Sequence, residues 1–427
     1  MKFNALALIL IALAPALAQE RLVHQINVDG VINPVSAEYI SDAIDRAQEA
    51  GAELLVIQLD TPGGLAKSMH DIVKKILASE VPVAVFVAPS GSRAASAGVF
   101  ITMAAHIAAM APGTNIGSAH PVTVTGQQDT SDVMMEKVIN DAVASIKSVS
   151  EKRGRNAEWA EKAVRESANI TEREALKEHV IDYVVPTVDS LLSVIDGKEV
   201  EVLSGKKILK TRGARIEVFN MNFRQHFLDI LSDPNILYIL FLLGISGLGL
   251  ELYNPGSILP GVVGGICMIL FLFSVQTIPV NFAGVLLIIF AAVLFLLEVK
   301  IPSYGILSIG GVISLIVGSI MLIDSPLPFL QISWKVILGA TITFSAFFLF
   351  AVGMAVRTHR KKPTTGKEGL IGEPGVAIDE LNPEGMVEVH GEIWKAVAEK
   401  RIKPGQTVIV TAVDESHLRL SVKASKH

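Results

Sequence analysis

The segment Ser90-Gly91-Ser92-Arg93-Ala94-Ala95-Ser96-Ala97-Gly98-Val99-Phe100 sets Ser96 among residues too small to shield it. It lies between an apolar strand pattern, Val81-Pro82-Val83-Ala84-Val85-Phe86-Val87-Ala88, and an apolar helix running from about Ser96 through Met103. A serine at the first turn of a buried helix has its hydroxyl near converging backbone N–H groups, the setting in which a nucleophile's oxyanion is stabilised. The same pattern also suits a small-residue crossing of strand and helix. A second segment, Asp60-Thr61-Pro62-Gly63-Gly64, follows another strand, and its paired glycines can turn with their N–H groups unobstructed. Such a turn could supply one oxyanion donor and Ala97 a second, or it could be an ordinary strand-to-helix turn.

Two bases could serve a nucleophilic serine. Lys137 falls in the early turns of a polar helix that begins near Ser131, beside Met134 and Met135. A lysine held against apolar groups loses hydration and can accept a proton; one on a solvated face cannot. His120, 24 positions after Ser96, is the alternative base or a residue that shapes a substrate groove.

The elements needed to position these residues are legible along the chain. Residues 21–28, 54–59, 105–110 and 181–185 read as further strands, alternating with amphipathic helices at 36–50 and after Gly64. The alternation predicts an α/β layer with a largely parallel sheet over residues 19–225. Residues 1–18 carry Lys2, an apolar run and Ala16-Leu17-Ala18, the pattern of a cleaved signal peptide, so the chain from Gln19 onward is expected to be exported.

The chain's 427 residues are 50% hydrophobic and only 19% charged, an apolar excess concentrated after residue 234. Runs at 236–252, 258–275, 282–297, 306–323 and 336–356 each have about the length of a bilayer crossing, giving a helical transmembrane block over 234–356. Arg357, Arg360, Lys361 and Lys362 follow the last run, as expected for a cytoplasmic end after five crossings. Glu251 and Glu298, at run ends, suit snorkelling or headgroup contact better than ion transport.

Five short strand patterns separated by glycine and proline turns fill 367–424, predicting a small all-β, OB-fold-like barrel. Residues 367–427 hold 8 Lys/Arg and 10 Asp/Glu, net −2, with Trp394 the one aromatic, which argues against nucleic acid and for protein contact. The chain's net charge of −5, its single cysteine, Cys267, and the absence of a metal-ligand spacing among its 10 histidines point away from nucleic-acid and metal chemistry, and no cofactor is implied.

The strand–Pro-Gly-Gly–helix segment, the Ala-Ala-Ser-Ala-Gly serine and a lysine 41 residues later together resemble the NfeD family of membrane-bound serine proteases, in the ClpP/crotonase superfamily. Arg153-Gly154-Arg155-Asn156, Trp159-Ala160-Glu161 and Thr171-Glu172-Arg173-Glu174-Ala175-Leu176 extend the resemblance. It implies a Ser96–Lys137 dyad, an oxyanion frame of Gly63, Gly64 and Ala97, a stomatin-like membrane protein as substrate or partner, and a homo-oligomer in contact with membrane lipid. A ClpP-like Ser–His protease using His120 and a non-enzymatic membrane scaffold are the competing readings. A crotonase-like acyl-CoA enzyme suits the fold but not the export signal.

Overall fold

Apolar strands alternating with amphipathic helices assemble in the first part of the chain as a parallel sheet sandwiched between helices. The computed structural model describes residues 21–122, 132–253, 255–256, 258–301, 303–359, 367–414 and 418–425. The predicted signal peptide, and Arg360, Lys361 and Lys362 of the basic cluster, lie outside the described residues. The chain forms two compact units, residues 1–296 with 309–342 and residues 297–308 with 343–427.

The first unit opens with β1 (Leu22–Asp29), α1 (Pro34–Glu49), β2 (Leu54–Asp60), α2 (Ala66–Leu77), β3 (Val83–Val87), β4 (Arg93–Ala95), α3 (Ala97–Ala104), β5 (Ile107–Met110) and β6 (Asn115–Gly117). It continues through α4 (Asp132–Lys152), α5 (Ala157–Arg165), β7 (Asn169–Thr171), α6 (Glu172–Lys177), β8 (Tyr183–Val184), α7 (Val188–Val194), the hairpin β9 (Glu199–Val202) and β10 (Gly205–Ile208), β11 (Arg215–Phe219) and α8 (Phe223–Leu231). The main sheet has the order β11-β1-β2-β3-β5-β8, with every pair parallel. Its central strands are buried on both faces, which is why they read as continuous apolar runs. Ile57 and Val85 pack with α1, α2 and α3 on one face, whereas Val56 and Phe86 pack with Leu191 and Leu192 of α7 on the other. This is the α/β layer around a parallel sheet that the sequence predicts.

Three short strands make a second sheet, in the order β4-β6-β7, that the sequence pattern did not suggest. It springs from the end of β2, where Thr61 pairs with Ala94. Ligand sites of parallel α/β sheets form at such carboxyl ends of strands.

The apolar block folds as helices α9 (Pro234–Tyr253), α10 (Ile258–Ser274), α11 (Phe282–Lys300), α12 (Ile306–Leu322) and α13 (Trp334–His359). The 20-residue helix Pro234–Tyr253 and the 20-residue stretch Pro328–Phe347 meet a strict length and hydropathy test for crossing a membrane, and the other three helices are apolar over at most 17 residues each. Small residues let α9 and α10 touch. A Cβ on Gly247 would sit 2.4 Å from the Pro260 carbonyl oxygen, and one on Gly264 would sit 2.7 Å from the Leu248 nitrogen.

Glu298 departs from the sequence reading. Instead of reaching toward headgroups it is buried, accepting hydrogen bonds from Ser303 Oγ (2.7 Å), the Gly305 N–H (3.1 Å) and the Ser308 N–H (3.0 Å). The chain doubles back immediately after α11, so the carboxylate caps the first turn of α12 and satisfies amides that would otherwise lack acceptors.

In the second unit, after α14 (Lys367–Leu370), strands β12 (Pro374–Ala377), β13 (Glu384–Val389), β14 (Glu392–Ala398), β15 (Thr407–Asp414) and β16 (Arg419–Ala424) close a barrel in the order β12-β13-β14-β16-β15. β14 and β16 pair in parallel and all other neighbours antiparallel. Val387, Val389, Val408, Val410, Leu420 and Val422 fill its interior, as alternation along each strand requires.

Candidate active site

The position of Ser96 is fixed by backbone hydrogen bonds from three directions. The Thr61 N–H donates to the Arg93 carbonyl (2.8 Å) and the Ala95 N–H to the Thr61 carbonyl (3.0 Å), locking β4 against the end of β2. The Ser96 N–H donates to the Gly117 carbonyl on β6 (3.1 Å). Asp60 Oδ1 accepts from the Arg93 N–H (3.0 Å), which sets the turn before β4.

Held this way, Ser96 caps α3 with φ 52° and ψ −112°, a conformation that costs a non-glycine residue about 1–3 kcal/mol. Its side chain is half-buried, while all eight residues of α3 are buried. Among the described residues neither the Ala97 N–H nor the Gly64 N–H has an acceptor, whereas the Gly63 N–H lies 3.1 Å from Thr61 Oγ1.

Gly63, at φ 121°, faces the serine directly. A Cβ there would lie 2.6 Å from Ser96 Cβ and 3.1 Å from Oγ. Gly64 is pressed on the opposite side, where a Cβ would meet the Ile32 carbonyl oxygen at 2.1 Å. Gly98 has room for no side chain either, since a Cβ would lie 2.7 Å from Thr61 Cγ2. The small residues around Ser96 therefore serve close packing and an open serine at once.

Ser96 opens into a cavity of about 520 Å³. Its walls include Gly64 and Ala97, then Met69 of α2, Phe100 of α3, Ala119 and Val122 after β6, and Val138, Asp141, Ala142 and Ser145 along one face of α4. Leu327 and Phe329, from the connection between α12 and α13, complete it. Lys67, His70 and Asp71, all exposed, also line it.

Lys137 is not placed as the sequence suggested. It is exposed, as is Met134, and does not line the cavity. The physical reason lies in α4, whose first buried side chain is Val143. The turns before it extend beyond the core, so among the described residues nothing covers a lysine there. Lys137 still precedes the cavity-lining Asp141 by four residues and so shares its side of the helix. His120 is half-buried and also absent from the cavity wall. Its Nδ1 donates to the Val164 carbonyl at 2.8 Å, which turns the ring toward α5.

The far end of α3 carries a feature that no local pattern in the sequence assigns. Arg155 Nη1 donates to the carbonyls of Met103 and Ala105, both at 2.8 Å, and Nη2 to Asp182 Oδ2 at 2.7 Å. Arg153 Nε donates to the Ala104 carbonyl at 2.8 Å. Two guanidinium groups thus occupy the negative end of the helix whose other end holds Ser96. Desolvation and the neighbouring Arg155 lower the Arg153 pKa to about 10. Beside them His106 is held neutral, its pKa lowered to about 3 by burial and by the charges of Arg153, Arg155 and Lys152. Its Nδ1 accepts from the Val83 N–H at 3.1 Å.

Known families and proteins resemble this chain over nearly its whole length. Residues 22–194 match the family model of the NfeD1b N-terminal domain, residues 235–354 the NfeD integral membrane domain, and residues 367–420 the NfeD-like C-terminal, partner-binding domain. The chain is 34% identical over 418 residues to the membrane-bound protease PH1510 of Pyrococcus horikoshii, covering 95% of both. It is 28% identical over 406 residues to the membrane protein NfeD1b of Bacillus subtilis, covering 90% of this chain and 89% of that one. Among solved structures it resembles a lysine-to-alanine mutant of the 1510-N membrane-bound stomatin-specific protease in complex with a substrate peptide. That match has 31% identity and a TM-score of 0.46, and covers 49% of this chain and 97% of that one.

Proposed function

Because this chain belongs to the NfeD family and is a membrane-bound protease, we propose that it is a serine endopeptidase working through a Ser96–Lys137 dyad. The observation that carries this reading is the strained Ser96, half-buried on the wall of a cavity that Gly64 and Ala97 also line, their N–H groups without an acceptor among the described residues.

Ser96 Oγ forms a bond to the scissile carbonyl carbon, its proton passes to the Lys137 amine, and the carbonyl electron pair moves to oxygen. The resulting oxyanion accepts from Gly64 and Ala97, while Gly63, lacking a Cβ, leaves the approach to Oγ open. The Lys137 ammonium then protonates the leaving amine as the C–N bond breaks. Water repeats the sequence on the acyl-enzyme, releasing the acid and restoring Ser96. Lys137 reaches the reaction by turning its flexible stem from solvent into the cleft when a peptide occupies it. Catalytic contacts of this kind commonly tighten only in the complex with substrate.

The substrate we propose is a membrane-associated protein of the stomatin type, the specificity named for the solved relative. The carboxyl-terminal barrel matches a partner-binding domain and is the proposed contact for such a protein. We place the α/β domain outside the cytoplasmic membrane. This agrees with the contact of Thr277, Ile278, Leu327, Phe329 and Leu330, from alternate helix connections, with Val31, Asn33 and Leu65 of that domain. Both connections would then emerge on the domain's own side of the bilayer.

The test uses the detergent-solubilised chain and a serine-directed fluorophosphonate. Wild type should be labelled, and Ser96→Ala should lose both labelling and peptidase activity by on the order of a thousandfold or more. Lys137→Ala should be nearly as damaging, because nucleophile and base act as one unit. His120→Ala should retain most activity, its ring being committed to the Val164 carbonyl. A His120 variant as dead as the serine variant, with Lys137→Ala active, would replace the dyad by a Ser–His pair. An unlabelled wild type would favour the scaffold.

A further inference from the structure

We infer that the connection between α12 and α13 is part of the substrate cleft, with Leu327 and Phe329 forming a specificity wall for an apolar side chain of the bound peptide. The inference rests on the protease reading above and extends it to residues more than 200 positions from Ser96 in sequence.

Leu327 and Phe329 line the same cavity as Ser96, and both are half-buried, each keeping some of its surface uncovered. The turn that carries them, Pro328–Leu330, is held in place. The Leu330 N–H donates to the Leu327 carbonyl (3.0 Å), and Gln331 Nε2 donates to the Ser325 carbonyl (2.9 Å). The Ser333 N–H donates to Asn235 Oδ1 at the start of α9 (2.8 Å), and Leu330 and Ile332 are buried beneath. Pro326 and Pro328 fix two backbone angles around Leu327. On its other side the turn rests on the segment that carries Gly64. Leu327, Phe329 and Leu330 line with Val31, Asn33, Gly64 and Leu65 a crevice of only about 30 Å³.

A wall this well fixed adds contact area at little ordering cost when a peptide binds. Met69, Phe100 and Val138 line the same cavity, so a leucine, valine or phenylalanine side chain entering the cleft meets apolar groups from the α/β domain as well as from the turn. In ordinary terms, the membrane helices do more than anchor the catalytic domain: their connecting turn selects what Ser96 cuts.

The experiment compares two fluorogenic peptides of equal length on the full chain in detergent, one with a Leu-Val-Phe core flanked by lysines and one with a Ser-Asn-Ser core. For Leu327→Ala combined with Phe329→Ala, KM for the apolar peptide should rise on the order of tenfold, with kcat changed by less than about twofold. The polar peptide and the rate of fluorophosphonate labelling should change by much less than KM for the apolar peptide, and Phe329→Leu should recover most of the apolar preference. An unchanged KM for the apolar peptide in the double variant overturns the inference. So does a loss that is equal for both peptides and for labelling, because that pattern means general distortion of the site. If wild type is not labelled at all, the serine-protease reading fails first and the inference with it.

Discussion

His106 is a residue whose chemistry is set entirely by its surroundings, and it makes acid sensitivity a property of the catalytic domain. In the unfolded chain it binds a proton near the ordinary histidine value of about 6.5, while in the folded domain burial and three cations delay protonation to about 3. Between those values the unfolded state holds more protons, so stability rises with pH, and it is lost as pH falls from about 6.5 toward 3 at up to ~1.4 kcal/mol per pH unit. His106→Asn, which can still accept from the Val83 N–H, should flatten the pH dependence of the thermal midpoint over that window. Parallel curves for variant and wild type would assign the acid sensitivity to other groups. At this scale the sequence was informative where the determinants are adjacent residues. The small neighbours of Ser96 and the paired glycines are written side by side. The positive φ of Ser96 and the exposure of Lys137 depend on Gly117 and on where α4 first meets the core, neither of which is local.

Among the elements, α3 depends most on its two ends. Its amino end presents Ser96, and its last carbonyls are held by Arg153 and Arg155. Arg155 is buried, and removing it strips two carbonyls of its guanidinium and leaves the Asp182 carboxylate without its cation, holding only the Ala108 N–H among the described residues. Arg155→Ala should therefore cost about 3–5 kcal/mol in stability. Arg155→Lys should recover little of it, because an ammonium cannot present the planar fork that reaches three acceptors. Urea unfolding of the three proteins, followed by tryptophan fluorescence from Trp159, checks both expectations; a midpoint for Arg155→Ala equal to that of wild type would remove the clamp from the energetics. The large elements were legible because helical and strand periods repeat over many residues. The strands β4, β6 and β7, at three residues each, are too short to carry a period and exist only through pairings with distant segments. The aromatic turn at Pro328–Leu330 was unreadable as part of a site for the same reason.

At the scale of the whole molecule, five apolar runs and an exported beginning predict opposite sides for the two chain ends. A reporter active only in the cytoplasm should work when fused after Lys362 and fail when fused after Pro186; the reverse would mean that the crossings are miscounted. β11, which completes one edge of the main sheet, leads through α8 directly into α9. That junction is pinned to α1 by Tyr39 Oη donating to the Phe219 carbonyl (2.6 Å), Asn33 Nδ2 to Asp229 (2.9 Å) and Gln225 Nε2 to Asp42 (2.9 Å). The α/β domain is thus moored to α9 by side-chain hydrogen bonds rather than leashed to it by a free linker, so the two move as one body.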